Sequence, residues 1–375
     1  MTIGLGGAIL IFALMVCARI VGAQQGSFPA PLELPRNQPQ SGAGSTLEVP
    51  ANGLQHGATD QLPPIAPQAP QELSIAPRQL RNQSGYEQVT VTVTKQDGTY
   101  QTGLQRDDLQ LSIDGQNRPI EFFRRDLNTP VSVGILVDTS GSMRPKIPQA
   151  RAAITTFIEQ LNPQDDIFLV AFSDRDYLLQ PFTLNHRLVI DKLQILNPWG
   201  ETALYDTIIE GLIRVRHGRW DKKALLVVTD GMDNESQADL QDVVAYARRM
   251  GVLVYSIGIG EDNGGGGGGL FSAFSGIDEV DGRTLRLLSG ETGAKTYVLR
   301  EVGDGEAMRD ACRSISEELR EQYTVGFVAP NASSGGYRTI RVDVPKHPED
   351  TVRVRKGVTV AGGTESASAG AIGAP

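Results

Sequence analysis

The sequence predicts an α/β fold: a doubly wound, mostly parallel sheet inserted in a small β-sandwich formed by both flanks. Three observations predict it. From Pro130 to about Arg320, near-continuous apolar strands alternate with amphipathic helices, the pattern of a sheet covered on both faces. On either side of that stretch, short segments alternate apolar and polar residues with period two, the pattern of half-buried strands. Each flank is too short to close a core alone, so the economical arrangement is one sandwich to which both contribute.

Taken in order, Val89, Val91 and Val93 alternate with threonines, and Gln96-Asp97-Gly98 is a turn. Leu109, Leu111 and Ile113 alternate again before the turn signal Asp114-Gly115, and Ile120–Phe123 gives a third short strand. The α/β stretch opens with the apolar run Val131–Val137, followed by a helix over Arg144–Leu161 and a strand over Ile167–Phe172. An edge strand is expected over Tyr177–Phe182, then helices over Leu188–Ile195 and Ala203–Val215. Next come strand Ala224–Val228, helix Leu240–Arg249, strand Val252–Ile259, a short helix Arg283–Leu288, strand Lys295–Leu299 and helix Gly305–Glu321. Strands return at Tyr323–Val328, Tyr337–Val344 and Val352–Arg355. The glycine run ending at Gly269, with Leu270, Phe271 and Phe274 after it, lacks the Lys-Ser/Thr of a phosphate loop and reads as a loop insertion.

The ends differ in composition. Residues 3–18 are an apolar run of signal-peptide length, with Val21-Gly22-Ala23 at cleavage spacing. Residues 24–85 hold 10 of the 21 prolines and many glutamines without periodicity, so they read as a disordered linker. The expected organisation is a signal peptide (1–23), a linker (24–85), an N-terminal β flank (86–128), an α/β domain (129–321), a C-terminal β flank (322–360) and a disordered tail (361–375). The chain is therefore expected to be exported: periplasmic, cell-surface or secreted. Membrane contact is expected only through an uncleaved or lipidated N-terminus, Cys17 lying in the leader.

Charge and residue usage exclude several classes. The chain of 375 residues carries 35 Lys and Arg against 44 Asp and Glu, a net charge of −9, which argues against nucleic acid as a partner. The four histidines are scattered and form no HExxH, which argues against a histidine-based zinc enzyme. Cys312, without a catalytic motif around it, reads as a packed helix thiol.

One constellation carries chemistry. Strand Val131–Val137 runs into Asp138-Thr139-Ser140-Gly141-Ser142, which places Asp138, Ser140 and Ser142 in the loop at the strand's carboxyl end. That rim is where open α/β sheets bind ligands. Strand Ala224–Val228 ends at Thr229-Asp230-Gly231, and Asp230 reaches the same rim if the two strands are neighbours. Gly200-Glu201-Thr202 opens a helix on that side and offers the Thr202 hydroxyl. Five oxygen donors with few carboxylates suit a hard cation, Mg²⁺ or Mn²⁺, with a position left open. Such an ion stays electrophilic and favours a carboxylate from a protein partner. The same Ser and Asp residues also suit turns and helix caps.

DTSGSM at 138–143, GETALYD at 200–206 and TDGMD at 229–233, in this order after these strands, resemble the von Willebrand factor type A domain. The resemblance covers about residues 130–320. The flanks VTVTVTKQDGTYQTGLQRDDLQLSIDGQNRPIEFF and ELREQYTVGFVAP resemble those of exported proteins of this class abundant in acidobacteria. The resemblance implies a metal-ion-dependent adhesion site in which Asp138, Ser140 and Ser142 are ligands, Thr202 is the loop threonine, and Asp230 contacts the ion directly or through water. Glu201 departs from the glycine often found there and, with Asp233 and Trp199, is a candidate outer-shell or partner-contact residue. Asp206 is expected to be a structural acid.

The implied function is a metal-dependent protein-binding module rather than an enzyme. No GxSxG surrounds Ser140 or Ser142, no histidine is positioned as a base, and no acid/base pair can be named. The alternative is an envelope scaffold or assembly protein whose metal site is not used for binding.

Overall fold

A computed structural model describes residues 85–230, 233–262, 279–299, 305–329 and 336–360. These lie within one unit of the chain, Gln68–Pro375. The leader, most of the linker, the glycine run and the tail lie outside the described residues.

The N-terminal flank supplies β1 (Tyr86–Thr94), β2 (Gln110–Ile113), β3 (Gln116–Arg118) and β4 (Phe122–Arg125). The α/β part follows as β5 (Val131–Asp138), α1 (Ile147–Gln160), β6 (Asp166–Phe172), β7 (Asp176–Thr183), α2 (His186–Leu193), α3 (Leu204–Val215) and β8 (Lys222–Thr229). It continues with α4 (Leu240–Met250), β9 (Leu253–Ile259), the short pair β10 (Glu261–Asp262) and β11 (Glu279–Val280), α5 (Gly282–Thr292), β12 (Thr296–Leu299) and α6 (Gly305–Glu318). The C-terminal flank gives β13 (Tyr323–Val328), β14 (Gly336–Asp343), β15 (Thr351–Arg353) and β16 (Gly357–Val360).

The central sheet has the order β12-β9-β8-β5-β6-β7. All its pairings are parallel except β6–β7, which closes one edge antiparallel. Every residue of β5 is buried, because helices cover both faces. Val131, Val133, Ile135 and Val137 point to the layer of α1, α2 and α6. Leu136 points to the layer of α3, α4 and α5. That alternation is the period-two geometry of a strand. Gly134 leaves room for a neighbouring ring: a Cβ there would lie 2.3 Å from Phe168 Cζ and 2.5 Å from Leu225 Cδ2.

Helix boundaries follow local chemistry. The α1 helix starts at Ile147 rather than Arg144, with a proline at its start and a 3-10 turn over Gly141–Met143 before it; proline fits a first helical turn. The α4 helix is held by Asp239, whose side chain accepts from the amides of Gln241 and Asp242, and ends at left-handed Gly251. The α5 helix, expected to end at Leu288, runs to Thr292 between an Asp281 cap and left-handed Gly293.

Both flanks meet in two further sheets, β15-β1-β13-β4 and β16-β14-β2-β3. Their shared core joins Val89, Val91 and Leu111 from one flank to Val325, Phe327, Val342 and Val358 from the other. The expected strand over Ile120–Phe123 is shifted to Phe122–Arg125, opposite Gly326–Tyr323. Two strands of the flanks were not anticipated: β3, which folds back on β2 across Asp114-Gly115, both with positive φ, and β16; nor was the short pair β10–β11 in the α/β part.

Buried charges tie the sandwich to the α/β part. Asp126 accepts from Lys222 Nζ at 2.9 Å, Arg124 Nε at 2.9 Å and Thr324 Oγ1 at 3.0 Å. Lys222 also donates to the Leu319 carbonyl at 2.8 Å. Glu318, at the end of α6, accepts from Tyr255 at 2.8 Å and pairs with Arg353. Burial pushes the Lys222 ammonium below its ordinary range, and the Asp126 carboxylate opposes that shift.

Candidate metal centre

The rim of the central sheet is built where β5 and β8 end side by side. Their parallel register pairs Val137 with Val228, so Asp138 and Thr229 emerge together and Asp230 follows. Asp138 is fully buried. Its Oδ1 accepts from the Ser140 amide at 2.8 Å and its Oδ2 from the Thr229 hydroxyl at 2.6 Å. Thr139 fastens the loop to β6, its amide donating to the Phe172 carbonyl at 2.7 Å. The turn then presents the serines: Ser140 Oγ lies 3.1 Å from Ser142 Oγ, and Ser142 Oγ donates to Asp230 Oδ1 at 3.1 Å. Ser142 is exposed, while Asp138, Ser140 and Asp230 are buried, so the row meets solvent at Ser142.

A second loop lies over the first. The Trp199 amide donates to the Thr139 carbonyl at 2.8 Å, and the Gly141 amide to the Gly200 carbonyl at 3.0 Å. Gly200 has φ +79°, which suits glycine. Thr202 is buried beside this turn; its amide donates to Asn234 Oδ1 at 2.8 Å and its carbonyl accepts from the Asn234 amide at 3.0 Å. Four of the predicted donors (Asp138, Ser140, Ser142 and Asp230) are thus linked through direct hydrogen bonds and the Thr229 bridge. Thr202 is placed by its backbone in the loop that covers them.

The three outer candidates differ. Glu201 is exposed, and its Oε2 accepts from Asn234 Nδ2 at 2.8 Å. Asp233 holds the loop, its Oδ1 accepting from the Tyr205 amide at 3.0 Å and from the Ser236 hydroxyl. Trp199 is 43% exposed. Its ring lies 6.1 Å from that of Tyr177, over which Arg175 sits at 5.9 Å, and Arg144 donates to the Pro198 carbonyl at 3.1 Å. Asp206 behaves as a structural acid, accepting from the amides of Gln237 and Ala238 at 2.9 Å each.

One residue of the site escaped the sequence reading. Lys146 is 1% exposed, and its Nζ donates to Asp230 Oδ2 at 2.6 Å and to the Ile259 carbonyl at 3.4 Å. The available signal was its position at the head of α1, one short turn past Ser142, which returns the side chain to the rim. The electrostatics reflect a crowded pair of acids. Burial, then the charge of Asp230, push the Asp138 carboxyl up to about 6, against hydrogen bonds from Thr229 and Ser140.

The donor set fits a hard cation. The two 3.1 Å oxygen separations match neighbouring vertices of an octahedron with ligand distances of about 2.1 Å, which lie about 3.0 Å apart. Among the described residues no group of three or more His, Cys, Asp and Glu could hold a metal. Any ion at this rim therefore depends on hydroxyl oxygens as well as carboxylates.

Fold and rim define an open α/β domain with an oxygen-lined cradle at the carboxyl ends of its central strands. Residues 132–308 match the family model of the von Willebrand factor type A domain, and this part of the chain is a domain of that family. An uncharacterized protein of Borreliella burgdorferi is 28% identical over 144 residues, which cover 36% of this chain and 42% of the relative. The match thus spans well under two thirds of that relative's length. Among solved structures, a von Willebrand factor type A protein from Catenulispora acidiphila is 13% identical, covering 76% of this chain and 74% of its own, with a TM-score of 0.43. Proximal thread matrix protein 1 from the mussel byssus, in a form with a zinc-occupied site, is 14% identical, covering 55% of this chain and 48% of its own, with a TM-score of 0.40.

Proposed function

We propose that this protein is an exported binding module that holds a protein partner through a divalent cation at the rim. In this reading Asp138, Ser140, Ser142, Thr202 and Asp230 hold Mg²⁺ or Mn²⁺ directly or through water, and the open position accepts a carboxylate of the partner. The observation that carries the reading is the row Ser140–Ser142–Asp230, at 3.1 Å steps, anchored on buried Asp138 and reaching solvent at Ser142. The bound ion would supply a concentrated positive charge; the chain supplies its placement. Around it, Trp199 and Tyr177 offer an aromatic surface, and Arg144 and Arg175 add positive charge that suits an acidic partner. The leader at 1–23 supports export, the linker at 24–85 gives reach, and residues 322–360 complete the sandwich.

The test is capture from an envelope extract on the immobilised chain, in Mg²⁺ and in EDTA, with Asp138→Ala beside the wild type. A partner held by wild type in Mg²⁺ and lost in the other two conditions supports the reading. A partner retained in all three moves the interaction away from the rim and favours the scaffold. Mn²⁺ and Zn²⁺ arms identify the cation that works.

A further inference from the structure

The Asp230 carboxylate is shared. Its Oδ1 faces the serine row, and its Oδ2 holds the Lys146 ammonium at 2.6 Å. Both side chains of that pair are excluded from solvent. The burial of the Lys146 ammonium is offset by its pair with Asp230, but a positive charge so close to the cradle repels an arriving cation across a medium that screens poorly. Lys146 is paired to Asp230, whereas Asp138, the other carboxylate of the cradle, is held by the Ser140 amide and the Thr229 hydroxyl and has no ion pair among the described residues.

We propose that Lys146 is a built-in counter-cation that sets how tightly the rim holds its metal. In the metal-free protein its ammonium stabilises Asp230 where a divalent ion would otherwise be needed. When the ion arrives, Lys146 keeps one oxygen of Asp230 engaged and leaves the ion weakly neutralised. The cation is then loosely held and exchangeable, and a partner carboxylate supplies the missing negative charge. Cation and acidic partner therefore bind with mutual reinforcement. This inference rests on the metal-binding reading above and deepens it.

The experiment is a Mn²⁺ titration of the full chain, followed by calorimetry and by melting temperature with and without the ion. Wild type, Lys146→Met, Lys146→Arg and Asp138→Ala are compared. Lys146→Met should bind Mn²⁺ at least about tenfold tighter, because a like charge beside the ion is gone. Its metal-free melting temperature should fall, and Mn²⁺ should raise it by more than in wild type. Lys146→Arg, which keeps the charge, should retain the wild-type affinity. Should Lys146→Met fail to fold, Lys146→Gln takes its place.

If Lys146 only packs the core, the neutral variants lose stability at every Mn²⁺ concentration with affinity unchanged or weakened, and that result overturns the inference while the metal reading stands. If wild type and both neutral variants bind no Mn²⁺, the metal reading and the inference fall together. If wild type binds and Asp138→Ala binds equally well, the site assignment fails separately.

Discussion

At the scale of single residues, Asp138 is where burial and function meet. Its folded-state pKa, about 6, lies above its ordinary value near 3.8. The folded, metal-free protein therefore holds this proton more tightly than the unfolded chain. The resulting stability is fully present below the ordinary carboxylate range and is lost as pH rises through about 6. A cation reverses the sign, because it needs the ionised carboxylate. The rise in melting temperature caused by Mg²⁺ should thus be small at pH 5, grow through pH 6 and level off by pH 7. A rise that is independent of pH across that window would remove Asp138 from the ligand set. Cys312 is the contrasting case: burial alone pushes its thiol up to about 12, as expected of a packing residue. The meeting of Asp138, Ser140, Ser142 and Asp230 at one rim was legible because the motifs sit at the ends of neighbouring strands. Lys146 was not, because nothing in the local sequence distinguishes a lysine that turns inward from one that turns to water. Asn234, which holds the Thr202 loop, was hidden for a similar reason: its contacts span 32 residues.

At the scale of elements, β5 decides whether the rim exists. Its length, its buried pattern on both faces and its exit at Asp138 follow from one apolar run. Gly134 is its tightest point. Gly134→Ala should cost about 1–3 kcal/mol by driving a methyl into Phe168 and Leu225, measured by urea unfolding. A cost below a few tenths would show that the ring has room to shift. The same logic explains which elements could be read. Strands of the central sheet were legible because burial on both faces leaves continuous apolar runs. Strands β3 (Gln-Asn-Arg) and β16 (Gly-Val-Thr-Val) are short, and pairing rather than composition makes them strands. The extension of α5 to Thr292 depended on its caps, Asp281 and Gly293, which weigh little against a weakly apolar final turn.

At the scale of the whole molecule, the rim's domain and the sandwich are held together by charges that water does not reach. Lys222→Met strips Asp126 of one cation while Arg124 remains, so the loss should sit at the lower end of the range for a broken buried pair, about 3 kcal/mol. Urea unfolding of this variant and of Lys222→Met with Asp126→Leu would check it; the double variant should recover part of the loss. Equal destabilisation in both would mean that the pair's contribution is packing. The topology has one further consequence. The chain leaves the sandwich after Arg125 and returns at Tyr323, which lies directly across from it on the neighbouring strand. In mechanical terms the backbone of the α/β domain is a loop bridged by the β4–β13 pairing. A pull applied between Tyr86 and Val360 loads the pairings of the sandwich, and along the backbone it enters the α/β domain only once β4 has sheared from β13; the Lys222–Asp126 and Arg353–Glu318 pairs are the side routes. The backbone of the rim's domain would stay unloaded until that seam opened.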